Sequence, residues 1–305
     1  MNQESNRFDD ELNLSDVLNF ASEYKKIISI TTIFFAVLSI AGSLILSNIY
    51  SSTAILYPND EQKNMSSILS SYSSLANFAG VELPGESTSK SEEAIERLKS
   101  FDFFKNHFLP YIKLEDLMAV KKWSPKSNVV IYNKQIFNNQ TNQWVRKVNF
   151  PKKQKPSTQE AYEEFSQIFS VNPDKETNFV KISLEHKSPH IAKYWLDIIV
   201  KNINESMREF DIANAENAID FLNKRSNDTN ILEIKEAISH LLESQMQTLM
   251  MASINDDFVF KVIDSPAISE EKIKPSRALI CILGTFVGLF FGILVAIMMK
   301  FQSKK

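Results

Sequence analysis

The chain has 305 residues, 23% of them charged, and a formal net charge of −3, which is enough for one large domain or two small ones. That balance excludes a nucleic-acid-binding footprint and an acidic tail. A single cysteine, Cys281, excludes an intramolecular disulfide and a cysteine zinc centre.

Residues 27–47 (IISITTIFFAVLSIAGSLILS) run without a charge. A helix of that length reaches about 30 Å, the thickness of the bilayer hydrocarbon core. A buried core helix is seldom apolar on every side for six turns. A cleavable signal peptide fits poorly. The preceding region carries Glu4, Asp9, Asp10, Glu11, Asp16 and Glu23, the apolar run is too long, and no small-x-small cleavage site follows. The run predicts an uncleaved anchor.

YSSTAILY at 50–57 predicts a strand directly after the anchor. Residues 65–85, rich in Ser and Ala, predict a mix of short helix and loop. Ser89 and Glu92 form a capping box ahead of Ala94, Ile95 and Leu98, predicting a helix to Lys99, with a second short helix over 101–109. Residues 129–137 and 143–148 flank an NNQTN turn and predict a hairpin. A second capping box, Ser157 with Glu160, opens a helix through Phe169. Residues 179–185 predict a strand with Val180, Ile182 and Leu184 on one face.

Between Pro189 and Pro266 there is neither proline nor glycine. Ser188-Pro189 is a helix start. Trp195, Ile199, Ile203, Met207 and Phe210 then recur every three or four residues. The pattern predicts a helix over about 189–225 and, after a polar break, another over 229–253. The first alone would be about 54 Å long. One apolar stripe on so long a helix is too narrow for a self-contained core, so it predicts packing against other copies of the chain. FVFKVID at 258–264 predicts a last strand, apolar on both faces as a sheet interior requires. A segment with Pro266 and Pro275 then leads to residues 278–299 (ALICILGTFVGLFFGILVAIMM), a second span.

Gly284, Gly288 and Gly292, continued by Ala296, place one small residue per turn on one face of that span. Such a stripe lets another helix approach closely. The first span carries a matching stripe of Ser29, Thr32, Ala36, Ser39 and Ser43. Lys25 and Lys26 precede the first span, and Lys300, Lys304 and Lys305 follow the second. Basic short ends stay in the cytoplasm. The resulting topology is a two-pass inner-membrane protein: cytoplasmic tails at 1–26 and 300–305, spans at 27–47 and 278–299, and a periplasmic domain over 48–277. Lys272, Lys274 and Arg277 oppose it slightly, but long translocated domains largely escape the rule.

Motifs with chemistry fail one by one. Gly80-VELP-Gly85-Glu86-Ser87 has Glu86 where a phosphate loop needs lysine. His186 and His190 flank a proline and read as polar surface ahead of a metal pair. Glu92-Glu93 and Asp256-Asp257 are adjacent, so each pair points apart. Lys121, Lys122, Lys152, Lys153 and Lys155 near Trp123 and Trp144 suit either an anionic glycan or, more simply, a solvated loop. No catalytic residue, cofactor or metal is expected.

The layout resembles the polysaccharide co-polymerases, the Wzz-type chain-length determinants of lipopolysaccharide O antigen. The matching segments are LSDVLNFASEYKKII before the first span, YSSTAILYP after it, then SEEAIERLKS, PSTQEAYEEFSQIFSV and VKISLEHKSPHIAKYWLDIIVKNINESMREF. FVFKVIDSPAISEEKIKPSRALI and the glycine-stepped second span complete the set. One departure is Ser269-Glu270, where the family is usually richer in proline. The resemblance implies an α+β fold: a membrane-proximal α/β base domain with a long protruding helix, flanked by two transmembrane helices. It implies a homo-oligomer and an O-antigen polymerase as partner, with the growing polysaccharide as a further contact and no catalytic residues. The short tail after the second span would separate the chain from the tyrosine-kinase branch of the family. Two other readings stand beside it: an accessory subunit of capsule or polysaccharide export, and a membrane-anchored glycan hydrolase.

Overall fold

The computed structural model describes residues 23–59, 89–254 and 257–303. They divide into two compact units: an apolar helix pair drawn from both ends of the chain, and the domain of residues 49–272. The expected helix and loop at 65–85 and the discounted phosphate-loop candidate at 80–87 lie outside the described residues.

The elements in chain order are α1 (Lys25–Ile45), β1 (Tyr50–Pro58), α2 (Lys90–Lys99), α3 (Leu114–Met118), β2 (Val120–Ser124), β3 (Val129–Tyr132), β4 (Phe137–Asn138) and β5 (Gln143–Trp144). They continue with α4 (Thr158–Ile168), β6 (Phe169–Pro173), β7 (Val180–His186), α5 (Pro189–Asp228), α6 (Leu232–Ile254), β8 (Phe260–Asp264) and α7 (Arg277–Ser303). A sheet of order β6-β7-β1-β8 forms the frame, with every neighbouring pair antiparallel. Its period-2 alternation turns Ala54 and Leu56 of β1 and Val180, Ile182 and Leu184 of β7 to one face, where all are buried. The helices cover that face, giving a two-layer α/β domain.

The core explains the aromatic content of the helices. Phe108 packs on Phe165 with ring centroids 4.7 Å apart and edge-on to Trp195 at 5.7 Å, and Phe165 stacks on Phe169 at 5.0 Å. The run 101–111 is a succession of α, π and 3-10 turns, and it buries Phe103, Phe104 and Phe108 together. Ser157 and Glu160 form the reciprocal capping box of α4. At α2 the expected box does not close: Ser89 caps nothing with its side chain, and its hydroxyl meets the Ser91 hydroxyl at 2.7 Å.

The long-helix stripe is corrected by the sheet. Trp195, Ile199, Ile203 and Met207 are fully buried in the chain's own core, against β1 and β7. They are not an exposed seam awaiting another copy. The stripe looked partnerless because the sheet that covers it pairs the neighbouring β7 with β1, more than a hundred residues away. Phe210, at the point where the core ends, is 43% exposed, with the Arg97 guanidinium 4.6 Å over its ring. Beyond it α5 is accompanied by α6, and Leu222 joins Ile238 and Leu241 in a second small core. At 40 residues α5 is about 60 Å long.

Three strand readings also change. The expected strand over 129–137 is two strands. Residues 129–132 pair with β2, and Phe137 pairs with Trp144 across the NNQTN turn. β8 is an edge strand, not an interior one. Phe258 and Val259 precede it and are buried in the core, while Ile263 is exposed. β6 begins at Phe169, where a helix end was expected. Asn128, Asn142 and Asn178 adopt φ of 49°, 53° and 60° in the turns of the three hairpins, the left-handed region that asparagine tolerates best after glycine.

Candidate functional site

Two regions hold the sequence-derived candidates. In the helix pair, Gly284, Gly288 and Gly292 all face α1. A Cβ on Gly288 would lie 2.7 Å from the Phe35 Cβ and 3.1 Å from the Thr32 Cα. One on Gly292 would collide with the Thr31 hydroxyl and stand 3.1 Å from the Ile28 Cα, and one on Gly284 would overlap Ser39. The backbones therefore approach closely because no side chain stands between them. Ala296 continues the buried row, and the rings of Phe35 and Phe291 stack at 5.5 Å.

The small-residue stripe of α1 is partly shifted. Thr32 and Ser39 meet glycines, but Ser29 is exposed, and Ile28, Thr31 and Phe35 complete the face. Three of the hydroxyls are satisfied by their own helix: Thr31 donates to the Ile27 carbonyl at 2.9 Å, Thr32 to Ile28 at 2.7 Å and Ser39 to Ala36 at 2.8 Å, while the buried Ser43 hydroxyl has no partner. The contact is thus one of close packing, not of interhelical hydrogen bonds. Outside it, both helices present large apolar side chains, with Phe34 63% and Phe290 62% exposed. Soluble core helices bury such groups, whereas lipid accepts them. Both helices are long and apolar enough to cross a membrane.

In the domain, several titratable groups are held by local partners. His186 is buried beside Trp195; its Nδ1 accepts from the Ser188 N–H at 3.0 Å and its Nε2–H donates to the Asp116 carbonyl at 3.0 Å. Burial pushes its pKa down to about 4. His190 lies instead against Trp123, and both ring nitrogens of His186 are already taken. Among the described residues no group of three His, Cys, Asp or Glu side chains could hold a metal ion.

Glu160 accepts two hydrogen bonds of 2.8 Å from Arg146, which hold its carboxyl down to about 2. Tyr132 donates to Asp116 at 2.6 Å; burial foremost and that bond next raise its pKa. A cleft of about 1420 Å³ opens beside α2 and the β6–β7 turn. There Arg97 pairs with Glu93, Lys99 with Glu96, and Asp174 accepts from the Glu176 amide. Trp123 and Trp144 serve packing, on Tyr50 at 5.5 Å and Phe137 at 5.1 Å. Pro266 is buried, and Pro275 lies one residue before Ser276 at the entry to α7.

Sequence reasoning missed the buried asparagines. The Asn204 carboxamide donates to the Phe260 carbonyl at 2.9 Å and accepts from the Val259 and Phe260 amides at 2.9 and 2.8 Å. Asn202 donates to the His107 carbonyl. Their signal was two amides, Asn202 and Asn204, within an otherwise largely apolar stretch of the helix.

Comparison with known proteins matches residues 10–108 to the family model described as chain length determinant protein. Residues 233–301 match a G-rich domain on putative tyrosine kinase. No curated protein matches. A solved full-length bacterial polysaccharide co-polymerase is similar at 12% identity over 96% of this chain and 99% of that one, with a TM-score of 0.42, a likeness too loose to bear on function. The first family match takes in α1, β1 and α2, the second α6, β8 and the glycine-stepped α7. These matches resemble a chain-length determinant, and they take in both apolar helices. The two matches, each over less than half of the chain, make it similar to the Wzz-type polysaccharide co-polymerases. The kinase-associated name of the second model removes the basis for setting the chain apart from the tyrosine-kinase branch.

Proposed function

We propose that the chain regulates the length of a surface polysaccharide, O antigen in the first instance, without catalysing a reaction itself. In this reading the helix pair spans the inner membrane twice. Residues 48–277 form the periplasmic domain between cytoplasmic tails at 1–26 and 300–305, and several copies act together as a scaffold on a membrane polymerase. The observation that carries it is the chain-length-determinant match across α1, β1 and α2. The outer α5–α6 hairpin supports assembly, because it exposes Leu232, Met246, Met250 and Ile254, an apolar row of the kind that marks interaction surfaces.

A second reading, regulation of capsule or exopolysaccharide, is favoured by the kinase-associated match at 233–301. Deleting the gene separates the two. Loss of the modal cluster from the lipopolysaccharide ladder supports the first. An unchanged ladder with altered capsule length supports the second and overturns the first.

A further inference from the structure

Between Asp116 and Glu160 the chain has nine Lys and Arg and no Asp or Glu, so the remainder of a chain of net charge −3 carries −12. The block contains the β2–β3 and β4–β5 hairpins, tied together by Tyr132 against Phe137 at 5.5 Å and Phe137 against Trp144 at 5.1 Å. It ends in a loop closed at its root by one side chain. Arg146 donates to both Glu160 oxygens at 2.8 Å, to the Gln154 carbonyl at 2.8 Å and to the Lys153 carbonyl at 2.7 Å. At the tip the Lys152 amide donates to the Asn149 carbonyl at 3.0 Å. Held in this frame, Phe150 stands 97% exposed, with Lys147, Lys153 and Lys155 exposed around it.

A braced loop that presents a bare phenylalanine with exposed lysines three to five residues away on either side in the chain suits the boundary of an anionic bilayer, where an apolar tip enters the headgroup region and cations meet phosphate. The block packs on a residue that is joined to α1 by a short stretch of chain. Trp123 of β2 packs on Tyr50, and Tyr50 follows the last residue of α1 by five residues, a tether of at most about 17 Å. A glycan platform would instead use an aromatic face backed by the fold, as Trp123 and Trp144 are, and Phe150 is not.

We propose that the loop 146–155 is a second membrane contact of this protein: Phe150 enters the headgroup layer while Lys147, Lys153 and Lys155 bind the phosphates of anionic phospholipids. The contact rests on α1 and α7 being membrane spans and adds a lipid dependence that the proposed function does not require.

The test uses the full chain reconstituted in vesicles of phosphatidylcholine alone or mixed equally with phosphatidylglycerol. Phe150→Cys in a Cys281→Ala background carries an environment-sensitive dye, and brominated acyl chains act as quencher. The expected result is blue-shifted emission and about three-fold stronger quenching in the anionic vesicles, both reversed by about 0.5 M salt. Lys147→Gln, Lys153→Gln and Lys155→Gln together should bring the signal to the phosphatidylcholine level while the thermal melt stays unchanged. Equal, water-like emission in both vesicles overturns the proposal. So does protection that appears only when an acidic polysaccharide is added, which would make the loop a glycan surface. Phe290→Cys in the same background, on the exposed side of α7, should be quenched in both vesicle types. Its failure would overturn the spans themselves and is thereby told apart from failure of the loop.

Discussion

Asn204 of α5 pairs with both backbone groups of Phe260 in β8: its Nδ2 donates to the Phe260 carbonyl at 2.9 Å and its Oδ1 accepts from the Phe260 amide at 2.8 Å. A carboxamide here acts as a missing strand would, pairing an edge whose partner is a helix. It also fixes where the long helix crosses the sheet.

Removing that carboxamide leaves buried backbone groups without partners. Asn204→Ala should destabilise the protein by about 2–4 kcal/mol, since each orphaned group costs about 1–3 kcal/mol. Thermal unfolding of the purified full chain measures it. Asn204→Asp should be as costly or worse, because Nδ2 is lost and a buried charge is gained.

Trp195 separates a core role from an inter-subunit one. Trp195→Ala should cost about 3–5 kcal/mol and lower the melting temperature whatever the state of assembly. Tyr194→Ala, at a neighbouring position that is 55% exposed, should leave the melt within about 0.5 kcal/mol. Equal tolerance of both would return the stripe to an exposed interface.

Gly288 and Gly42 form a matched pair. A side chain at Gly288 meets Phe35 and Thr32, whereas Gly42 has nothing within 4 Å. Gly288→Leu should part α1 from α7 and shift or abolish the polysaccharide length mode, while Gly42→Ala should preserve it. Ladders from cells expressing each variant give the answer.

His186 makes stability depend on acidity. Its folded-state pKa, about 4, lies below the ordinary 6.5, so the unfolded chain takes up the proton first. The neutral ring's contribution is complete above pH 6.5 and is lost as pH falls toward 4, amounting to about 3 kcal/mol. Melts recorded across this range should fall with acidification, and His186→Gln should flatten the slope.

Much of this architecture was legible because it rests on local pattern. The uncharged runs at 27–47 and 278–299, the alternation of Val180, Ile182 and Leu184, and the Ser188-Pro189 helix start each need only a few neighbouring residues to be read. The glycine spacing of 284, 288 and 292 announced a packing face, though not which helix would fill it. Features that depend on distant partners stayed hidden. β7 lies just ahead of Trp195 and Ile199, but its partner β1 is more than a hundred residues away, so the sheet that covers them could not be read from their neighbourhood alone. The apolar run at 258–260 gave burial correctly and its cause only in part, since β1 flanks it on one side and Asn204 of α5 takes the place of a second strand. The left-handed asparagines 128, 142 and 178 mark all three hairpin turns, but a single asparagine before a strand is too common a signal to read alone.

Whether the chain sets polymer length without making or cutting polymer is decided by restoring it to a deletion strain and measuring amount and length of the surface polysaccharide together. A length regulator leaves total polymer unchanged, spread over random lengths without the chain and gathered into one modal cluster when it returns. Polymer that vanishes without the chain, or isolated polymer that shortens on incubation with the purified protein, would contradict that role.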